Sequence, residues 1–169
     1  MGFFDIFKKS APETAGPTWP QQIAADAKGT VVPMEQIPDE VFAQGILGQC
    51  CGIEPEEGKV YAPLTGEVTQ MPDSGHALGI LGENGVEILI HVGVDTVEMK
   101  GDGFSPKVKE GDKVKAGDLV LEMDLAKIKA AGHPAVVITV VTNTDDFAGV
   151  EVVGSGAVQP GDALLKVSK

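Results

Sequence analysis

The chain has 169 residues, 43% of them hydrophobic, and a formal net charge of −12 at pH 7. That length suits one domain with a substantial core; the negative balance argues against a nucleic-acid partner, whose phosphates would repel it, and favours a basic one. No stretch approaches the ~18 apolar residues of a membrane span, and the N-terminus lacks the apolar region and cleavage site of a secretory signal, so a cytoplasmic protein is expected.

In chain order, Met1 to about Ser10 comes first. If helical, it gathers Phe3, Phe4, Ile6 and Phe7 on one arc, with Asp5, Lys8 and Lys9 facing away. Two readings stay open: a disordered start, or a short interfacial helix making weak contact with a membrane or a partner. Ala11 to Pro20, with three prolines, reads as a linker. The expected division is therefore a mobile N-terminal segment over 1–22 and a folded domain over 23–169. Within the domain, short strands punctuated by glycine predict an all-β, antiparallel β-sandwich. Pro38–Phe42 and Leu125–Ala131 are expected to be single helical turns. The only cysteines, Cys50 and Cys51, are adjacent. Neighbours on a strand face opposite ways, which suits two buried thiols in a reducing compartment rather than a disulfide or a metal knuckle.

The centre of the chain reads as a hairpin, with arms Gly75–Glu83 and Val86–Val94 around Asn84-Gly85, a strong signal for a two-residue type I′ turn. That turn predicts Glu83 opposite Val86 and His91 opposite Leu78. His76 then lies beside Leu78 and diagonal to His91, with Cβ atoms roughly 7 Å apart. The histidine face would also carry Ile80, Glu87, Leu89 and Gly93, and Ala77, Gly79, Leu81, Val86, Ile88, Ile90 and Val92 would face the core. The histidine face is apolar for a wet surface, which marks a docking site.

Internal repeats accompany the hairpin. Gly29–Met34 parallels Gly66–Met71, Ala43–Gly48 parallels Ala77–Gly82, and Val114–Leu119 parallels Val158–Ala163. They predict two similar halves packed face to face. In this alignment His76 takes the place of Phe42.

Three chemistries suit the histidine pair. One imidazole can be a nucleophile for a phosphoryl group while the other stabilises the phosphate oxygens; the nucleophile must be neutral, with its second ring nitrogen held by an acceptor. The pair can instead bind zinc, with Asp95 or Glu98 as third ligand. Or the two histidines merely decorate a sheet. His133, between Gly132 and Pro134, sits in turn context and is expected to be structural or solvated.

At His91-Val-Gly-Val-Asp-Thr-Val-Glu-Met-Lys-Gly101 the chain resembles the glucose-family IIA component of the bacterial phosphoenolpyruvate-dependent sugar phosphotransferase system. The likeness continues through Ile37–Ala43, Val60–Gly66, Gly75–Ala77 and Gly111–Gly117, and covers essentially all of 23–169. It implies a phosphotransferase component that forms a covalent phosphohistidine and requires no cofactor. His91 would accept the phosphoryl group from phosphorylated HPr and pass it to a cysteine of a IIB domain of a sugar permease. His76 would stabilise the phosphoryl group, Ser74 would orient His76, and the Gly93 backbone carbonyl would hold His91. Ser74 departs from the threonine usual in the family. Asp39, Phe42, Ile46, Leu47, Leu78, Asp95 and Val97 would form the partner-binding face. The resemblance further implies a monomer, regulated permeases or kinases as additional partners, and zinc held at a complex interface by His76 and His91. The alternative from a different class is a zinc-dependent hydrolase using the same two histidines.

Overall fold

A computed structural model describes residues 18–169. The amphipathic stretch over 1–9 and most of the proline-rich linker lie outside the described residues. The chain forms strands β1 (Gln21–Ala24), β2 (Gly29–Val32), β3 (Gln49–Pro55), β4 (Lys59–Tyr61), β5 (Gly66–Gln70), β6 (Ala77–Gly82) and β7 (Glu87–Val92). There follow β8 (Phe104–Pro106), β9 (Lys113–Val114), β10 (Leu119–Met123), β11 (Val137–Val141), β12 (Gly149–Val152), β13 (Ala157–Val158) and β14 (Ala163–Ser168). Two short helices, α1 (Glu40–Ala43) and α2 (Leu125–Ala130), occupy the two places where helical turns are expected. Each is started by a capping aspartate: Asp39 accepts from the Val41 N–H at 2.9 Å and Asp124 from the Lys127 N–H at 3.1 Å. None of the helices described is long and apolar enough to cross a membrane.

An eight-stranded sheet in the order β9-β5-β6-β7-β11-β3-β2-β13 is accompanied by two three-stranded sheets, β4-β10-β8 and β12-β14-β1, every pairing antiparallel. The expected β-sandwich is therefore present. Its domain boundary needs correcting, because a break between residues 22 and 23 falls inside β1, which pairs Gln21–Ala24 with β14. Trp19, further upstream, stacks on Phe147 and packs on the core.

The duplication runs through the whole topology. Gly29 pairs with Pro55 and Val158, as Gly66 pairs with Gly82 and Val114. The register of β10 on β4 shifts between Leu119 and Leu121, and that of β14 on β1 between Ala163 and Leu165. One of the three expected repeat matches does not hold: Ala43–Gly48 belongs to the end of α1 and its turn, whereas Ala77–Gly82 is β6. Register places β3 opposite β6 in the duplication, so Gln49, not Phe42, is the counterpart of His76, and Val140 is the counterpart of His91.

Strand alternation gives the large sheet two different faces. Cys51, Ile53, Val68, Leu78, Ile80, Ile88, Ile90, Val92, Val137 and Val141 point into the main core, where they meet Ile23, Val60, Leu121, Leu164 and Leu165 from the small sheets. On the outer face Cys50, Ile138 and Val140 are covered by Ile37 and Phe42 from the long β2–β3 connection. The equivalent β5–β6 connection is much shorter, so half of the outer face has no such cover. Cys50 and Cys51 are both free and buried, one on each face as expected, and burial pushes their pKa values up to about 11 and about 12.

One charged group interrupts the main core. Asp26 is completely buried and stands where the other half of the duplication has Pro63. Its Oδ2 accepts a hydrogen bond from the Thr139 hydroxyl at 2.5 Å, and Oδ1 has no partner among the described residues. Burial raises its pKa from 3.8 to about 7, with the Thr139 bond opposing. Between those values the native protein keeps a proton that the unfolded chain has lost, so this group makes stability fall as pH rises from about 4 to about 7. Asp26→Asn, which keeps an acceptor for Thr139, is therefore expected to gain on the wild type across that window by roughly 2–4 kcal/mol. Urea unfolding of both proteins at pH 4, 5.5 and 7 measures this, and a difference independent of pH would contradict it.

Candidate functional site

The hairpin β6–β7 carries the histidine pair, but its turn is not the two-residue one expected. The Gly85 N–H donates to the Gly82 carbonyl at 2.9 Å, Gly82 and Val86 are joined at 2.8 Å, and Gly85 adopts φ 87°. The Asn84 side chain accepts from the Val86 N–H at 3.0 Å. This is a three-residue loop, Glu83–Gly85, of the kind that ends on a left-handed glycine. The extra loop residue moves the register by one: His91 lies opposite Ala77, and Leu78 opposite Ile90. A one-residue slip exchanges faces. Leu78 is therefore 0% exposed in the main core and cannot belong to a partner-binding face; Ile80 is likewise a core residue. His91 shares its outer face with Ala77, Gly79, Leu81 and Leu89.

His76 reaches the same face by a different route. It precedes β6 and so lies outside the strand's alternation, directly after a turn in which Gly75 has φ 67°. Its backbone carbonyl still accepts the Val92 N–H at 2.7 Å, tying it to the residue after His91. The two imidazoles meet edge to face, their centroids 5.0 Å apart at 86°. Phe42 lies on the other side of His91, 5.0 Å from it at 50°.

Each ring is held at Nδ1. For His91, Nδ1 lies 2.9 Å from the Gly93 carbonyl oxygen. A carbonyl only accepts, so the Nδ1 proton donates to it and the neutral ring keeps its lone pair on Nε2. The carbonyl is available because Gly93 turns the chain at φ 78°. A Cβ on Gly93 would lie 2.5 Å from Thr96 Cγ2 and 2.7 Å from the Pro134 carbonyl oxygen. For His76, Nδ1 is 2.6 Å from the Ser74 hydroxyl. When that hydroxyl donates, the proton of neutral His76 sits on Nε2 and can be given to an anion.

Electrostatics keep the pair neutral. His76 is 8% exposed, and desolvation lowers its pKa from 6.5, with the nearby His91 adding to the effect. Desolvation also lowers that of His91; the Gly93 hydrogen bond opposes it first, then the charges of Asp39 and Asp95. Both acids therefore act on His91 through their field. Of the remaining residues assigned to partner binding, Phe42 is buried against His91, whereas Ile46 and Leu47, in the turn after α1, and Val97, in the turn after His91, are exposed at 64%, 41% and 54%. Val41, 42% exposed beside Phe42, extends this apolar surface and escaped the sequence reading. Its place next to Phe42 in α1 was the available signal. Thr96, fully buried, was also missed. Asp95 and Glu98 do not complete a metal site: among the described residues no group of three or more His, Cys, Asp or Glu is placed to hold a metal ion. His133 is half-buried in the turn after α2, its N–H bonded to the Ile128 carbonyl.

Residues 21–147 match the family described as phosphoenolpyruvate-dependent sugar phosphotransferase system, EIIA 1. The chain is 40% identical over 166 residues to the glucose-specific EIIA component of Halalkalibacterium halodurans, covering 98% of this chain and 95% of that one. It is 41% identical over 169 residues to the beta-glucoside-specific EIIBCA component of Bacillus subtilis, 99% of this chain but 28% of that longer protein. Among solved structures, glucose permease IIA from Mycoplasma capricolum superposes with a TM-score of 0.80 at 31% identity, covering 88% of this chain and 96% of the other. The chain belongs to the EIIA 1 family of the phosphoenolpyruvate-dependent sugar phosphotransferase system.

The burial of the two rings has a measurable consequence. Because the folded state depresses both pKa values, the unfolded chain binds more protons below about pH 6.5, and these groups lower stability as pH falls from there. In a histidine NMR titration both midpoints should lie below 6.5. Phe42→Ala should move the His91 midpoint back up by readmitting water, and should cost about 3 kcal/mol or more of stability through the cavity left behind. An unmoved His91 midpoint in that variant would contradict burial as the cause.

Proposed function

We propose that the chain is a phosphohistidine carrier in sugar uptake. His91 Nε2 takes a phosphoryl group from phosphorylated HPr: a P–N bond forms as the donor's bond to phosphorus breaks. The phosphoryl group then passes to a cysteine of a IIB domain, where a P–S bond replaces the P–N bond. The observation that carries this reading is the convergence of the rings, with His91 Nδ1 already engaged by Gly93 and Nε2 left as the only nitrogen with a lone pair. Such transfers ask the protein for placement and charge stabilisation more than for covalent chemistry. His76 meets the second need by donating Nε2–H to the phosphoryl oxygens, with Ser74 fixing its tautomer. Depressed pKa values keep His91 nucleophilic at neutral pH.

The exposed Val41, Ile46, Leu47 and Val97, with Asp39 and Asp95 alongside, suit a partner that presents an apolar patch rimmed by positive charge. Phosphorylation adds about 1.5–2 negative charges to this surface and so discriminates between partners of the two states, including regulated permeases or kinases. The IIB partner gains support from relatives in which this domain is fused to B and C components, such as the EIIBCA protein of Bacillus subtilis. The reading carries with it a cytoplasmic location and a monomer. Two imidazoles alone are an incomplete zinc set, which disfavours the hydrolase alternative and leaves zinc only where another molecule supplies further ligands.

Incubation with phosphoenolpyruvate, enzyme I and HPr should load one acid-labile, base-stable phosphoryl group per chain, and His91→Ala should load none. His76→Gln should still accept the group but pass it on about 10²-fold more slowly. Loading of His91→Ala, or equal slowing of both half-reactions in His76→Gln, would refute the respective assignment.

A further inference from the structure

Thr96 is fully buried in the turn that follows His91, and its side chain does two things there. Its hydroxyl donates to the Val92 carbonyl, and its methyl lies where a Cβ on Gly93 would have to go, 2.5 Å from that position. The peptide between Val92 and Gly93 is therefore gripped at both ends: its carbonyl by Thr96, its N–H by the Val136 carbonyl at 2.7 Å. The next peptide carries the Gly93 carbonyl that holds His91 Nδ1, and its N–H, on Val94, donates to the Pro134 carbonyl at 3.1 Å. Two of these grips come from the residues just before β11. The third belongs to the histidine loop itself. Glycine at φ 78° has wide rotational freedom, and Asp95 in the same turn adopts the left-handed φ of 61° that a non-glycine residue rarely accepts. A loop with such a backbone keeps its shape only where its surroundings over-determine it.

We propose that Thr96 is a positioning residue for the histidine site: by holding the Val92 carbonyl it fixes the peptide plane before Gly93, and so aims the Gly93 carbonyl at His91 Nδ1. Without the hydroxyl, the Val92 carbonyl is buried beside an apolar group and the peptide turns to find another donor, carrying the Gly93 carbonyl off the ring. His91 then loses its single tautomer, and the lone pair is divided between Nδ1 and Nε2. The effect on phosphoryl transfer rests on the carrier reading above; the effect on the ring does not.

The test compares the full chain with Thr96→Val, which replaces the hydroxyl by a methyl, and Thr96→Ser, which keeps the hydroxyl and removes the methyl. Ring ¹⁵N shifts of His91 read the tautomer, and the rate of phosphoryl acceptance from phosphorylated HPr reads the chemistry. Thr96→Val should show both tautomers and accept about tenfold more slowly, whereas Thr96→Ser should show the Nδ1–H tautomer alone and a rate within about twofold of wild type. A folded Thr96→Val with the wild-type ring pattern overturns the proposal, as does Thr96→Ser behaving like Thr96→Val. Should Thr96→Val not fold, the wild-type protein still decides. Its Thr96 hydroxyl proton must exchange slowly with solvent and show a cross-peak to the Gly93 α protons, and a rapidly exchanging hydroxyl overturns the proposal. Failure of wild-type His91 to accept any phosphoryl group would sink the carrier reading and leave the ring measurements to judge Thr96.

Discussion

The hydrogen bond from His91 Nδ1 to the Gly93 carbonyl is the constraint on which the site's chemistry depends. An imidazole has two nitrogens of similar basicity, and an unconstrained ring spreads its proton over both. Here the backbone chooses. Residue 93 must be glycine because the chain turns at φ 78° and because Thr96 and the Pro134 carbonyl already fill the space of a side chain. A choice made by backbone geometry costs no reorganisation when a reacting group arrives, which is the sense in which such a site is preorganised.

The duplication explains how a binding surface arises on a sheet that is otherwise buried. Both halves share strand order, pairing and even the irregularity in their small sheets. They differ in the connection that crosses the outer face. The long β2–β3 connection brings Ile37 and Phe42 over Val140, the counterpart of His91, and seals it. The short β5–β6 connection brings only Ser74, Gly75 and His76 to the edge of β7, which leaves His91 half-buried. The covering segment of one half thus becomes the wall of the site in the other, through the contact of Phe42 with His91. That wall, together with burial, keeps both rings neutral while Asp39 and Asp95 limit how far the basicity of His91 falls.

The β-sandwich, the repeated strand motif, the two helical turns and the pairing of His76 with His91 were legible in the residues. The expected face-to-face packing of the two halves was not observed, because they join edge to edge in the eight-stranded sheet through β7 and β11. Glycine placement and strand alternation are local signals, and they act locally. The register of the β6–β7 hairpin was not legible. Asn84-Gly85 allows either a two-residue or a three-residue loop, and the choice here goes with Asn84 bonding the Val86 N–H by its side chain. That one residue moved Leu78 from the expected docking face into the core. The histidines still met, because His76 precedes β6 and is not bound by the alternation that carries Leu78 inward. The likeness of Ala43–Gly48 to Ala77–Gly82 misled for a related reason: similar residues serve a helix end in one place and a strand in the other, and only pairing partners tell them apart. The role of Thr96 depends on where its hydroxyl lands, which sequence spacing does not reveal.

A tautomer fixed by the Gly93 carbonyl leaves His91 a single reactive nitrogen. Phosphorus–nitrogen coupling in the ¹⁵N-labelled, phosphorylated protein measures this directly, because it reports both which histidine and which ring atom carries the phosphoryl group. The expected result is coupling to Nε2 of His91, with Nδ1 still protonated and hydrogen-bonded. Coupling to Nδ1 of His91, or to either nitrogen of His76, would contradict it.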